Sequence, residues 1–173
     1  MSETKDTAVQ AAQAETVLEL VKKHKIALFI NNGTKYVRIK KSDALTLSMN
    51  PVETEYDYIA DESPTTEVED YKPSIDQNLV MYKGSDDYEM LFPYFYERRT
   101  GTKAHAKCMV VFMHEPSTDG GYKAWETDSV ISVQDIAAVD KKLDFKIIFG
   151  GGITNGTATM SDGTPTFKAD VTA

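Results

Sequence analysis

The sequence predicts a mainly β protein of the α+β kind. The expected form is a β-sandwich or barrel with one helix packed on its sheets and a helix-like N-terminal arm. Three observations predict it. Runs rich in β-branched and aromatic residues recur from residue 36 to residue 171, separated by Gly-rich, Asn-Gly and Asp-Gly punctuation. One segment, Gly84 to Gly101, breaks that pattern and carries helix signals at both ends. A third, Thr7 to Lys23, mixes Ala, Val and Leu with Gln, Glu and Lys, without Gly or Pro.

In chain order, Thr7 to Lys23 is expected to be helical, with Ser2 and Thr7 as possible caps and a weak apolar stripe in its first half. Such a helix is marginal alone in water, so it reads as an arm that orders against something else. Asn31-Asn32-Gly33 is a turn signal. Tyr36 to Lys40 is a short basic strand, and Ala44 to Met49 carries Leu45, Leu47 and Met49 on one face. Val52 to Ile59 alternates Glu53, Glu55 and Asp57 with Thr54, Tyr56 and Tyr58, which gives a strand one acidic and one β-branched/aromatic face. Asp61-Glu62-Ser63-Pro64 is a loop tip, Thr65 to Tyr71 a less regular strand, and Ile75 to Tyr82 a further one. Then comes the helix. Ser85 is its expected N-cap, Asp86 and Asp87 suit the positive end of the dipole, Arg98 and Arg99 the negative end, and Gly101 the stop. Pro93 is expected to kink or divide it, and Leu91, Phe92, Tyr94 and Phe95 make it an apolar plug for a sheet. His105 to His114, Tyr122 to Gln134, Leu143 to Phe149 and Thr166 to Val171 are the remaining expected strands, with Asn155-Gly156 and Asp162-Gly163 as turns. The expected organisation is an arm over residues 1–24 and one β-rich domain over 25–173, with a long loop around 60–75 and the helix around 85–99.

Charge is unevenly distributed. Of 173 residues, 41% are hydrophobic and 27% charged, ordinary values for a globular chain. The net charge is -8. Residues 52–76 hold nine acids (Glu53, Glu55, Asp57, Asp61, Glu62, Glu67, Glu69, Asp70, Asp76) and one base, Lys72, so they carry the whole net charge and the remainder is neutral. A pI near 4.9 argues against gripping nucleic-acid backbones. The single cysteine, Cys108, forms no intramolecular disulfide. The start, MSETKDTAVQ, lacks the basic and apolar regions of a signal peptide, and no apolar run approaches the length of a membrane span, so neither is expected.

No catalytic constellation is expected. Gly150-Gly151-Gly152 lacks both phosphate-binding fingerprints and reads as a turn or a close approach of backbones. His105 and Cys108 fall on opposite faces of a strand and match no zinc spacing. Cys108, flanked by Met109, Val110 and Val111, reads as core rather than nucleophile. The repeated carboxylates lack a sugar-binding platform, since Trp125 is the sole tryptophan. No cofactor, metal or enzymatic activity is expected.

The segment YIADESPTTEVEDYKPSIDQ, the strand ending Met81-Tyr82-Lys83-Gly84, the helix SDDYEMLFPYFYERRTG, and Phe145-Lys146-Ile147-Ile148-Phe149-Gly150 resemble the major tail tube proteins of long-tailed bacteriophages with flexible, non-contractile (siphovirus-type) tails. The resemblance covers most of residues 35 to 150, and the N-terminal arm departs from the shortest members. It implies a tail tube fold and a structural virion protein. Six copies would form a ring whose strands join in one inner barrel, and rings would stack into a tube that conducts the genome into the host. It implies the chain itself, a tape-measure protein, a tail terminator and a distal tail protein as partners. Viral DNA would pass without specific binding, and no membrane is involved. Location would be the virion tail, with assembly in the host cytoplasm. Within that picture Glu53, Glu55, Asp57, Glu67 and Glu69 are candidates for an acidic bore along which DNA slides; alternation leaves open whether that face is inside or solvated outside. Lys35, Arg38, Lys40, Lys41, Asp61 and Glu62 are candidate inter-subunit contacts. The alternative reading is a soluble β-sandwich binding module for carbohydrate or a divalent cation, with Asp61-Glu62 as the cation site.

Overall fold

The computed structural model describes residues 18–60 and 62–170. Among them the protein is an antiparallel β structure with one α-helix. The strands are β1 (Ile26–Asn31), β2 (Tyr36–Arg38), β3 (Leu45–Ser48), β4 (Pro51–Tyr56), β5 (Thr65–Tyr71), β6 (Ser74–Val80), β7 (His105–Pro116), β8 (Tyr122–Ala137), β9 (Lys142–Phe149), β10 (Thr154–Ser161) and β11 (Thr164–Ala169). The helix α1 spans Asp86–Tyr96. The main sheet runs β2-β1-β7-β8-β9-β6-β3, and β10 pairs with both β8 and β11.

The long strand β8 organises the fold. Its first part, Tyr122 to Glu126, pairs with β10, whereas Ser129 to Ala137 pairs with β9. The sheet therefore splits along β8, and the ribbon β10–β11 folds over the face opposite α1. Two apolar cores result. Leu28, Ile30, Cys108, Val110, Leu143, Phe145 and Ile147 pack with Leu91 of the helix in the larger one. Ala27, Phe29, Met109, Val111, Ala124 and Ala158 form the smaller one, with Phe167 against it.

That arrangement explains why β1 carries no alternating strand signal in the sequence. β1 is buried on both faces, so Ile26 to Ile30 reads as an unbroken apolar run without alternation. β10 was hidden differently. Asn155-Gly156 lies inside this strand and is not a turn. Gly156 is there because a Cβ would stand 2.6 Å from the Phe167 ring. Asp162-Gly163 does turn: both residues have positive φ (48° and 78°) and close the two-residue β10–β11 hairpin between Ser161 and Thr164. At Gly150 and Gly151 a Cβ would meet Asp128 only at ordinary contact distance, so close backbone approach does not demand these glycines.

Of the two outcomes expected at Pro93, division does not occur: α1 runs through it as one helix. The helix differs from expectation in two further ways. Ser85 occupies the N-cap position, but its hydroxyl donates to the Tyr82 carbonyl rather than capping the helix. The helix also stops before Gly101. Arg98 takes φ 50°, its N–H donates to the Phe95 carbonyl and that of Arg99 to the Tyr94 carbonyl, a Schellman closure with arginine at the left-handed position. The Arg99 guanidinium lies 4.6 Å from the Tyr94 ring centroid, completing the closure. Only Leu91 of the expected plug is fully buried, and Phe95 and Tyr96 face solvent.

At the N-terminus, the helix expected over Thr7 to Lys23 lies outside the described residues up to residue 17. Residues 18–22 are non-helical, and Lys23–Lys25 is a short 3-10 turn.

Candidate assembly surfaces

β4 and β5 form a separate two-stranded arm. Its root continues the β3–β6 ladder. Ser48 pairs with Ser74, the Lys72 amide donates to the Asn50 carbonyl, Asn50 Nδ2 donates to the Lys72 carbonyl and to Ser74 Oγ, and Pro51 pairs with Tyr71. Asn50, at φ 45°, makes the bend. Every residue of β5 is exposed, so the arm stands clear of the body. Residues 65–71 of the expected long loop are thus strand.

The register divides the five acids proposed for one bore-facing surface. Glu53 opposes Val68 and Glu55 opposes Thr66, while Glu67 opposes Thr54. Directly opposed residues share a face, so Glu53 and Glu55 lie on one side and Glu67 on the other. A bulge between Val52 and Glu53 leaves Glu69 unopposed. Its carboxylate accepts a hydrogen bond from the Tyr56 hydroxyl, which raises the phenol pKa. Tyr58 stacks on Tyr56 with ring centroids 5.7 Å apart. Asp57 follows β4 and is exposed, as is Glu62; Asp61 lies outside the described residues.

The basic candidates cluster around β2. Lys35 Nζ is 3.8 Å from Asp86. Arg38 donates to the His24 carbonyl at 3.2 Å. Lys41 stands over the Tyr82 ring at 5.4 Å. The amides of Lys40 and Lys41 both donate to Asp87 Oδ2, at 3.1 and 3.2 Å, and Asp87 is 3% exposed. Among the described residues the Lys40 ammonium makes no ion pair. Tyr36 donates to Glu126 at 2.6 Å, and burial first, then that bond, raises its phenol well above the usual range.

A third surface was not anticipated. β7 last pairs with β8 at His105–Val130, and beyond it Ile131 to Ala137 pair with β9 alone. That free edge lines an open groove of about 920 Å³ with Tyr94, Phe95, Tyr96 and Arg99. The expected strand Tyr122 to Gln134 already outruns its expected neighbours, and in the structure β8 has sixteen residues against twelve in β7 and eight in β9.

Nothing among the described residues assembles chemistry. Cys108 is fully buried, and burial pushes its thiol up to about 12. His105 is exposed on the other side of the strand. No group of three or more His, Cys, Asp or Glu among the described residues is placed to hold a metal ion. No helix among them is long and apolar enough to cross a membrane.

Comparison with solved structures gives the fold a context. A chain from the tail of an empty GTA particle, solved with C6 symmetry, superposes with a TM-score of 0.54 at 11% identity, over 77% of this chain and 96% of that one. A chain of the anti-feeding prophage cap, which terminates the AFP tube, gives 0.50 at 11% identity, over 87% and 99%. The chain therefore has the β-rich fold found in tail components of phage-like particles. No protein-family model matches the sequence, and no curated protein matches it.

Proposed function

We propose that this chain is a structural subunit of a phage tail tube, polymerising as stacked six-membered rings. The observation that carries the reading is the free edge of β8. An unpaired edge from Ile131 to Ala137, whose first four residues line an open groove, invites another chain. A repeated heterologous contact of that kind closes a ring or grows a filament. The fold it shares with GTA tail and AFP cap chains supports the same reading. In this role the partners are further copies of the chain, with tape-measure, terminator and distal tail proteins at the lumen and ends. Its place is the virion tail, after assembly in the host cytoplasm.

The arm register narrows the bore-lining candidates. Glu53 and Glu55 share a face, and with Asp57 after them they are the acids we assign to the bore. An anionic wall repels DNA phosphates and lets the genome slide rather than bind. Glu67 lies on the other side of the ribbon and Glu69 accepts the Tyr56 hydroxyl, so neither joins that assignment.

Negative-stain electron microscopy of the purified protein across a rising concentration series tests the proposal. Rings or hollow tubes are expected. Small monodisperse particles throughout, with and without an added tail-tip complex as initiator, would refute it.

A further inference from the structure

Residues from opposite ends of the main sheet line one groove of about 480 Å³. Ile26, Arg38 and Ile39 come from the β1–β2 end, Ala44 and Leu45 from the β3 end. Both ends leave backbone without a strand partner. Among the described residues β3 pairs with β6 alone. β2 covers β1 only from Leu28 onward. The Lys40 and Lys41 amides, which would continue that ladder toward Ile26, donate to Asp87 Oδ2 instead. Open edges of this kind accept an extended chain as an added strand.

The lining selects the chemistry of such a chain. Ile26, Ile39 and Leu45 form an aliphatic wall, and no Phe, Tyr or Trp stands in it to stack a base. Lys23, Arg38 and Lys40 surround that wall, and neither Lys23 nor Lys40 makes an ion pair among the described residues. The one acid of the lining, Asp43, is bound to Lys142 at 2.8 Å. Gln77 adds a separate demand. It opposes Leu45 across β3 and β6 and alternates with the core residues Ile75 and Leu79, so its amide stands on the core face at the groove. It is 6% exposed, and its Oε1 accepts no hydrogen bond among the described residues. A buried acceptor without a donor is costly, and a ligand N–H would satisfy it.

We propose that this groove binds an extended acidic peptide from a protein other than this chain. Aliphatic side chains of the peptide lie on the Ile26, Ile39 and Leu45 wall, its carboxylates meet Lys23, Arg38 and Lys40, and one of its backbone N–H groups donates to Gln77 Oε1. A peptide carries all three kinds of group on one backbone. The site uses neither the free β8 edge nor the β4–β5 arm, so it stands whether or not the chain forms tubes. Gln77 then serves binding and destabilises the unbound fold.

Fluorescence anisotropy with the whole chain, dispersed, tests this with a labelled octapeptide of alternating valine and glutamate. Saturable binding is expected, lost when Lys23→Glu and Lys40→Glu are combined. Gln77→Leu is the sharper variant. It should unfold at higher urea than wild type, because the orphaned acceptor is gone, yet bind the peptide about tenfold more weakly. A structural glutamine would not move the two readouts in opposite directions. Absence of saturable binding, or unchanged affinity in Gln77→Leu, would overturn the proposal. Equal binding of a thymidine oligonucleotide would do the same, since the groove would then read negative charge alone. Hydrogen exchange covers the remaining occupants. Amides on the free edge of β3 should exchange freely in the chain alone and slow when the peptide is added. Slow exchange before addition would mean that the chain or another copy of it already fills the groove, and the proposal fails.

Discussion

Asp87→Ala should be among the most damaging single substitutions outside the apolar core. The carboxylate sits in the first turn of α1 and accepts the Lys40 and Lys41 amides in the connection from β2 to β3, so it ties the helix to the basic edge. Its own Oδ1 also accepts the Tyr88 amide at 3.0 Å. Each bond to a charged acceptor is worth about 1.5–3 kcal/mol. Losing the two to Lys40 and Lys41, both part-buried, costs about 3 kcal/mol in Asp87→Ala at the low end of that range. Asp87→Asn keeps an acceptor oxygen but not the charge, and should cost about 1–2 kcal/mol, part of it from the helix dipole. The pH dependence has a definite sign. Burial pushes this carboxyl up, but the hydrogen bonds it accepts pull it further down, below its ordinary value of 3.8. A depressed carboxyl contributes stability above its unfolded pKa and loses it as pH falls through the folded value. The difference between wild type and Asp87→Asn is thus full at pH 7 and shrinks below about pH 4. Urea unfolding of dispersed protein at a series of pH values reads both quantities. An Asp87→Ala loss under 1 kcal/mol, or a gap to Asp87→Asn unchanged between pH 7 and pH 3, would refute the reasoning.

Three further outcomes are expected. Arg98→Gly should raise stability by about 0.5–1 kcal/mol, read as a higher Tm, since glycine adopts the left-handed position without the Cβ penalty. Gly156→Ala should cost about 1–3 kcal/mol, because the new Cβ would collide with the Phe167 ring and the rigid Lys168 carbonyl, and pairing of β10 with β11 should loosen in hydrogen exchange. Asp135 opposes Asp144 directly across β8 and β9, and the Asp144 carboxyl is raised by burial first and by Asp135 second. Asp135→Asn should stabilise by about 0.5 kcal/mol at pH 7, the gain fading as pH falls and Asp144 protonates in the native state.

Much of this fold was legible because the deciding interactions are local. The alternation in Val52 to Tyr56 and the Asp162-Gly163 pair depend on neighbours in sequence, and both appear as read. The failures are non-local. Ile26 to Ile30 shows no alternation because β7 carries its neighbours into both cores. Asn155-Gly156 carries a strong turn signal that the Phe167 ring overrides. The helix stop moved from Gly101 to Arg98 because the Arg99–Tyr94 contact supports the closure that a glycine would otherwise supply. The candidate acids were identified as exposed residues of two strands, but the side each one faces depends on the pairing register and the bulge at Val52, which no single strand encodes.

The segregation of charge follows from what each part must avoid. Outside residues 52–76 the net charge is zero, so bodies can approach edge to edge without net Coulomb repulsion, as the proposed pairing at the free β8 strand would require. The arm is the opposite case. Its two strands both have free edges, the kind of surface that pairs indiscriminately with its own copies. Glu53, Glu55, Glu67, Glu69 and Asp70 make any arm-to-arm pairing bring like charges face to face. These carboxylates thus work against the arm pairing with its own copies. Neutralising them should therefore convert ordered growth into irregular aggregation rather than simply weaken it.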